Sequence, residues 1–190
     1  MNDYARAYRH KIKDVEGLLE AIGPRPRDRK VIMCHGAFDL VHPGHLRHLM
    51  FAKEKADLLV ASITSDAHIS KANARPFVPQ ALRAVNLAAL DMVDYVLIDP
   101  NPTPIENITR LQPDYFAKGY EYSADGLPEK TREEMATVEA YGGEMVFTPG
   151  DIIMDCCTTN QRTRWHVLSF TECFKLYVRA ESHDIKALYT

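Results

Sequence analysis

The chain has 190 residues, of which 46% are apolar and 26% are charged, a composition typical of a folded domain with one hydrophobic core. Its 23 Lys and Arg residues and 26 Asp and Glu residues give a net charge of −3 and form no basic run, so we expect no broad nucleic-acid-binding surface. The longest apolar runs, at residues 31–34 and 58–61, are far shorter than the ~20 residues that cross a bilayer. We therefore expect no membrane-spanning segment.

Two further features indicate a cytoplasmic protein. The first residues carry charges and lack the apolar stretch of a secretory signal. The four cysteines have no C-x-x-C spacing, and the adjacent Cys156 and Cys157 are poorly placed to bridge each other. We therefore predict reduced thiols and no disulfide framework.

Apolar residues recur with helical and strand spacings in turn along most of the chain. Val15, Leu18 and Ile22 have the spacing of one face of a helix, whereas short apolar runs rich in β-branched residues are typical of strands buried on both faces. The predicted elements are a helix over residues 14–22, a strand over 30–34, a helix over 45–56, a strand over 57–63, a helix over 80–92, a strand over 95–98, a helix over 104–111, a strand over 114–117, a helix over 129–141 and a strand over 144–148.

This alternation predicts an α/β fold: a Rossmann-like, doubly wound parallel sheet of about five strands in a single domain. An N-terminal helix and linker would occupy residues 1–28, the sheet domain residues 29–150, and a further segment residues 151–190. Within this last segment, residues 165–178 fit a helix by one spacing and a strand by another. Both alternatives therefore stay open there.

The turn between the first predicted strand and the following helix holds the strongest candidate site. In doubly wound sheets, ligands bind beyond the carboxyl ends of the strands. Gly36 permits a close approach of a ligand or a positive φ, and Pro43-Gly44 turns the chain so that His45 opens the helix. His42 and His45 would then face one cleft beside free N–H groups and the positive end of a helix dipole. A phosphate is the ligand that suits this arrangement best.

The ten residues of this turn, Gly-Ala-Phe-Asp-Leu-Val-His-Pro-Gly-His from Gly36 to His45, resemble the G-x-F-D-x-x-H-x-G-H signature of the cytidylyltransferase-like nucleotidyltransferases. The residues that follow are similar to the heptose-1-phosphate adenylyltransferase domain of ADP-heptose synthases, in the same order over residues 12–150. They are Lys71, the pair Arg75-Pro76, Arg83, Val93-Asp94 before a strand, and the run from Lys118 to Tyr122 after one.

The resemblance implies a reaction in which a substrate phosphate oxygen attacks the α-phosphate of a nucleoside triphosphate, with Mg²⁺ present and pyrophosphate leaving. It favours AMP transfer from ATP to a heptose-like 1-phosphate. One alternative is CTP-dependent transfer to glycerol phosphate or another polyol phosphate, and a second is a nucleotide-binding module that has lost catalysis. The resemblance also implies a homodimer, for which the apolar Trp165, Phe170 and Phe174 would need a covering surface.

By match to the motif, the resemblance also implies which residues form the site. His42 and His45 would bind the triphosphate, Ala37 and Phe38 would lend backbone N–H groups, and basic residues after the second strand would hold phosphates. The implied catalytic residues are His42, His45, Lys71 and Arg83; the implied nucleotide-binding residues are Gly36, Ala37, Phe38, Asp39, Gly44, Lys118, Gly119, Thr158 and Thr159; and the implied substrate-binding residues are Arg75, Tyr120 and Glu121.

Two departures from the family pattern affect these expectations. Position 37 is Ala where relatives commonly place Thr or Cys, so that a side-chain hydrogen bond is lost while backbone contacts remain. Where relatives carry a Ser-Thr-Thr segment, this chain reads Asp-Cys-Cys-Thr-Thr-Asn over residues 155–160. The register of Thr158 and Thr159 with that segment is therefore open.

Several side chains near the turn have more than one interpretation. Asp39 either anchors the turn or helps a metal, His35 either touches the nucleotide or is satisfied within its strand, and His48 is expected at the surface or the edge of the core. Three histidines at steps of three residues also suggest a zinc site. No Cys or second His pair completes four ligands, so we expect no protein-bound metal there.

Overall fold

Five parallel strands form one sheet in the order β3-β2-β1-β4-β5. In this computed structural model the described residues are 4–69, 76–119, 122 and 126–148, and all of them belong to one compact unit, Met1–Asp151. The strands are β1 (Val31–Gly36), β2 (Leu58–Thr64), β3 (Tyr95–Asp99), β4 (Tyr115–Gly119) and β5 (Glu144–Thr148).

Six α-helices and two short 3-10 helices precede or connect the strands in the described part of the chain. The 3-10 helices are Arg9–Lys11 and Asp66–His68. The α-helices are α1 (Tyr4–Ala7), α2 (Val15–Ile22), α3 (Pro43–Lys55), α4 (Gln80–Ala88), α5 (Ile105–Leu111) and α6 (Glu129–Ala140). None of the helices in the described ranges has the length and apolar character that a membrane crossing requires.

Successive residues of each strand point to opposite faces, and this alternation divides the core into two layers. On one face, Ile32 and Cys34 of β1 pack with Leu49 of α3 and Leu87 of α4. On the other face, Met33 of β1 packs among buried residues of α2, α5 and α6, which include Leu18, Ile108 and Val138. Both faces of the sheet are therefore covered, as a doubly wound fold requires.

The N-terminal segment covers the outer edge of the sheet. Ile12 forms a parallel bridge with Val96 of the edge strand β3, and the backbone N–H of Lys13 donates to the Val96 carbonyl at 2.9 Å. The Lys11 ammonium donates to the Val93 carbonyl at 2.8 Å. These contacts pair an edge that would otherwise stay open, and they hold residues 11–13 against β3.

The strand order also places the ligand-binding edge. The chain moves outward from β1 to β2 and β3 and then crosses back to β4 and β5, so β1 and β4 are the neighbours at which the winding direction changes. Ligands of open α/β sheets bind at the carboxyl edge beside this change of direction. The turn that follows β1 lies at that edge.

The predicted fold class is confirmed, and all ten predicted elements are present with boundaries shifted by a few residues. The largest difference is α4, which ends at Ala88 rather than at residue 92, because the Leu90 N–H bonds the Leu87 carbonyl in a tightened last turn. Helical spacing of Leu82 with Val85 and Ala89 predicts that Leu82 faces inward, but this residue is 45% exposed. The alternatives for residues 165–178 and the dimer surface of Trp165, Phe170 and Phe174 fall outside the described residues and stay predictions.

Candidate active site at the start of α3

The chain leaves β1 through a strained turn. Phe38 has a φ of 46°, in the left-handed region that side chains other than glycine rarely occupy, and its ring is only 4% exposed. A Cβ atom at Gly36 would lie 3.4 Å from this ring, so the glycine leaves room for the ring to fold back over the strand end. Strain of this kind collects at functional sites.

His42 caps α3 with its own ring. Its Nδ1 atom accepts a hydrogen bond from the Gly44 backbone N–H at 3.1 Å, and Pro43 occupies the first helical position, where its missing N–H costs nothing. A Cβ atom at Gly44 would lie 2.9 Å from the His42 ring, so any larger residue there would displace the capping ring. Because Nδ1 accepts, we assign the proton of the neutral ring to Nε2, which makes Nε2 a hydrogen-bond donor.

His45 is packed between two rings in the first turn of α3. Its ring centroid lies 3.9 Å from that of His42 and 5.1 Å from that of Phe38. Burial, together with the neighbouring His42 and His48, lowers the pKa of His45 to about 4, so the ring is neutral at pH 7. A hydrogen bond with the Leu40 backbone opposes this lowering of the His45 pKa.

Asp39 anchors the turn, as one of its two interpretations predicted. One carboxylate oxygen accepts from the Phe77 backbone N–H at 3.0 Å and the other from the Val78 N–H at 2.9 Å. The carboxylate is thus committed to the segment that leads into α4. In the described ranges, no group of three or more His, Cys, Asp or Glu side chains is arranged to hold a metal ion.

Arg83 has a different role from the predicted one of binding phosphate. Its side chain has no exposed surface, and its guanidinium donates to the carbonyls of Ala37, Thr64 and Val78 and to the Asp66 carboxylate at 2.7 Å. A guanidinium enclosed by four protein acceptors is not presented to a ligand. We therefore reassign Arg83 as a positioning residue that ties the turn after β1 to the end of β2 and the start of α4.

Lys118 and Gly119 end β4, the neighbour of β1. The Lys118 ammonium forms an ion pair with Glu134 of α6 and lies 4.5 Å from the centroid of the Tyr122 ring. The Lys118 side chain is 11% exposed. Its predicted role at the nucleotide would therefore compete with an existing buried ion pair.

The structure brings together the predicted residues of the turn and supports them from neighbouring strand ends. Six predicted site residues lie outside the described part of the chain, so their roles stay predictions: Lys71, Arg75, Tyr120, Glu121, Thr158 and Thr159. The sequence left His35 with two interpretations and gave no role to Asp66 or Glu134. His35 continues the alternation of Val31 and Met33 along one face of β1.

His35 and His48 are both held by hydroxyl groups. His35 Nδ1 lies 2.9 Å from Ser62 Oγ, and its Nε2 lies 3.2 Å from Thr64 Oγ1. His48 Nδ1 lies 3.1 Å from Thr148 Oγ1 at the end of β5. Burial lowers the pKa of each ring to about 4, assisted at His35 by the positive Lys118. His48 thus lies at the edge of the core, one of the two places expected for it.

These low pKa values predict how stability depends on pH. Between about pH 6.5 and 4 the unfolded chain takes up protons on His35, His45 and His48 that the folded chain refuses, so the free energy of unfolding falls as the pH is lowered. Each such proton contributes a slope of ~1.4 kcal/mol per pH unit. In urea unfolding, His48→Gln should make this slope shallower by one proton, whereas His10→Gln, at an exposed position, should leave it unchanged. An identical slope in all three proteins would contradict the buried neutral rings.

The reassignment of Arg83 predicts that Arg83→Lys destabilises the protein by about 2–4 kcal/mol, because an ammonium cannot reach carbonyls from three segments and leaves buried acceptors unpaired. The matched control is Arg132→Lys at an exposed position of α6, for which we expect a change within about 0.5 kcal/mol. Urea unfolding measures both. A fully stable Arg83→Lys protein whose KM alone is raised would instead favour the phosphate-binding role.

Comparison with known proteins places this site in a family. The model of the family described as cytidylyltransferase-like matches residues 33–172. Bifunctional protein HldE of Geobacter metallireducens is 39% identical over 138 residues, which cover 71% of this chain and 27% of that protein. Bifunctional protein HldE of Syntrophotalea carbinolica is 36% identical over 163 residues, covering 84% of this chain and 32% of that protein. The chain thus spans about a third or less of the length of these relatives.

Solved structures support the fold. The lipopolysaccharide core biosynthesis protein of Thermoplasma volcanium superposes with a TM-score of 0.56 at 21% identity, over 65% of this chain and 98% of that one. Pantoate-beta-alanine ligase of Francisella tularensis gives a TM-score of 0.51 at 15% identity, over 74% of this chain and 67% of that one. Because the family model covers most of the chain, including the whole turn from Gly36 to His45, the chain belongs to the cytidylyltransferase-like family of nucleotidyltransferases.

Proposed function

We propose that the chain transfers AMP from ATP to a sugar phosphate such as a heptose 1-phosphate. A phosphate oxygen of the sugar phosphate attacks the α-phosphorus of ATP and forms the new P–O bond. The bond from the α-phosphorus to the bridging oxygen of the β-phosphate breaks, and pyrophosphate leaves with that electron pair. The observation that carries the proposal is the pair of histidine rings at the start of α3, whose centroids lie 3.9 Å apart.

The turn supplies what this reaction demands of a protein. Charge grows on the oxygens of the α-phosphate during transfer, and fixed hydrogen-bond donors at that point lower the barrier. The assigned Nε2–H of His42, the His45 ring and the N-terminus of a 13-residue helix provide such donors. Nearby groups hold the turn before substrate arrives, so little reorganisation is needed on binding.

We choose heptose as the sugar of the acceptor because the sequence resembles ADP-heptose synthases, and not because of the geometry of any side chain. The resemblance to ADP-heptose synthases agrees with the 36–39% identity to the relatives named bifunctional protein HldE. The same fold would also suit CTP and a polyol phosphate, which are therefore outcomes of the test. We propose that Mg²⁺ binds together with the nucleotide. The described residues form no cluster of metal ligands, so the triphosphate oxygens would be the main ligands of the ion.

The experiment is pyrophosphate release from each nucleoside triphosphate in turn, with heptose 1-phosphate, a hexose 1-phosphate and glycerol 3-phosphate as acceptors, with Mg²⁺ and in excess EDTA. We expect release with ATP and heptose 1-phosphate in Mg²⁺, and loss of it in EDTA. Release that is fastest with CTP and glycerol 3-phosphate would replace the proposed substrates. Nucleotide binding without release for any pair would show a binding module and refute the proposed transfer.

The role of His45 can be tested separately. His45→Ala removes a preorganised donor, so we expect turnover to fall by ~10²–10³, or roughly 3–4 kcal/mol of transition-state stabilisation. Nucleotide affinity should fall only modestly, because binding in the ground state is shared with His42 and the helix N-terminus. The melting temperature should stay within a few degrees of the parent value.

The matched control is His10→Ala, a histidine at an exposed position in the N-terminal 3-10 helix, which should leave turnover unchanged. If His45→Ala unfolds the protein, or keeps turnover within about threefold of the parent, a transition-state role of this size is wrong.

A further inference from the structure

A second concave site lies on the other side of the sheet from α3. It has a volume of about 140 Å³ and is formed by the end of β1, the residues that lead into α5, and the first half of α6. Its polar lining residues are His35, Thr103, Lys130, Glu133 and Glu134. The mechanism proposed above uses none of these side chains.

The inner wall of this pocket is formed by the ring of His35, whose Nδ1 lies 3.9 Å from Oδ2 of the buried Asp99 carboxylate. The two ring nitrogens of His35 lie within hydrogen-bond distance of the hydroxyl groups of Ser62 and Thr64, so the ring cannot turn freely. Burial, assisted by the charge of Lys118, keeps the pKa of His35 near 4, and the ring is therefore neutral at pH 7.

The charged groups around the pocket are of both signs, and the buried carboxylate of Asp99 lies behind His35. Glu134 is already paired with Lys118, while Lys130 and Glu133, three residues apart on α6, lie on the exposed rim. A nucleoside triphosphate carries up to four negative charges, and residues of this kind would attract it only weakly. The hydroxyl groups of a ligand would bind more favourably. A carboxylate accepts strong hydrogen bonds from them, and a threonine hydroxyl can both donate and accept.

The pocket lies beside the nucleotide turn. His35 immediately precedes Gly36, the first residue of that turn, and both lie at the carboxyl edge of β1. The pocket opens on the side of α5 and α6, whereas the two histidines belong to α3, which packs on the opposite face of the sheet. Two molecules, one on each side of the end of β1, would approach each other at the turn.

We propose that this pocket binds the hydroxyl-bearing, uncharged body of the acceptor sugar, while the phosphate of that sugar points toward the His42–His45 turn. This inference rests on the proposed nucleotidyl transfer for its choice of ligand. The ligand class is a polyhydroxylated carbon skeleton with adjacent hydroxyl groups, and Glu133 and Thr103 select it by hydrogen bonds. Both are specificity residues for the acceptor and take no part in nucleotide binding.

The test uses Glu133→Gln and Thr103→Val, which keep the size of the side chain and remove the charge or the hydroxyl. The matched control is Glu139→Gln, the same change at an exposed position of α6 that does not line the pocket. We expect the KM and the calorimetric Kd for heptose 1-phosphate to rise about tenfold in Glu133→Gln and about threefold to tenfold in Thr103→Val. The Kd for ATP and the melting temperature should match those of the control.

The outcomes separate the two proposals. If the parent binds heptose 1-phosphate, the two variants weaken that binding, and no nucleotide pair releases pyrophosphate, the pocket assignment stands and the transfer reaction fails. If the parent releases pyrophosphate and both variants keep the KM and Kd of the control, the pocket assignment fails and the reaction stands. An equal loss of ATP affinity, or a parent that binds no sugar phosphate in calorimetry, would also overturn the pocket assignment.

Discussion

The guanidinium of Arg83 joins three segments that are far apart in the chain. Without any exposed surface, it donates to the carbonyls of Ala37, Thr64 and Val78 and to the carboxylate of Asp66. Arginine suits this position because it stays charged when buried and its planar fork reaches several acceptors at once. The ends of β1 and β2 and the start of α4 are thereby held in one arrangement, on which the geometry of the turn after β1 depends.

The turn is held from its outer side as well. Asp39 accepts from the backbone of Phe77 and Val78, so both the acidic and the basic anchors bind the segment that precedes α4. Within this frame, His42 caps α3 and stacks on His45. The donors that we propose for the α-phosphate are therefore fixed before substrate binds, so they could stabilise developing charge with little reorganisation during the reaction.

The fold was predictable because its strands and helices differ in period. The apolar runs of β1 and β2 are too continuous for amphipathic helices, and the helices between them carry one apolar face, so alternation alone indicated a parallel sheet. The motif from Gly36 to His45 then placed the site at the carboxyl edge. Both inferences depend on residues that are close together in the sequence, whose types and spacing can be seen without knowing the fold.

The partners of buried charges were not predictable in the same way. Helical period in α4 assigned Leu82 to the core and the family resemblance assigned Arg83 to a ligand, whereas Leu82 is 45% exposed and Arg83 is fully buried. The burial of Arg83 depends on carbonyls that only the folded sheet brings together. Lys118 likewise meets Glu134 through the packing of α6 on β4, a contact that no spacing in the sequence encodes.

The central claim is that the turn directs one phosphate to attack another at the α-position. The most direct measurement uses heptose 1-phosphate with ¹⁸O in its phosphate group and follows the products by ³¹P NMR and mass spectrometry. The account predicts that all of the label is retained in the nucleotide sugar, one labelled oxygen bridging the two phosphorus atoms, and that the pyrophosphate released is unlabelled. Label in pyrophosphate or in free inorganic phosphate, or AMP as the nucleotide product, would contradict it.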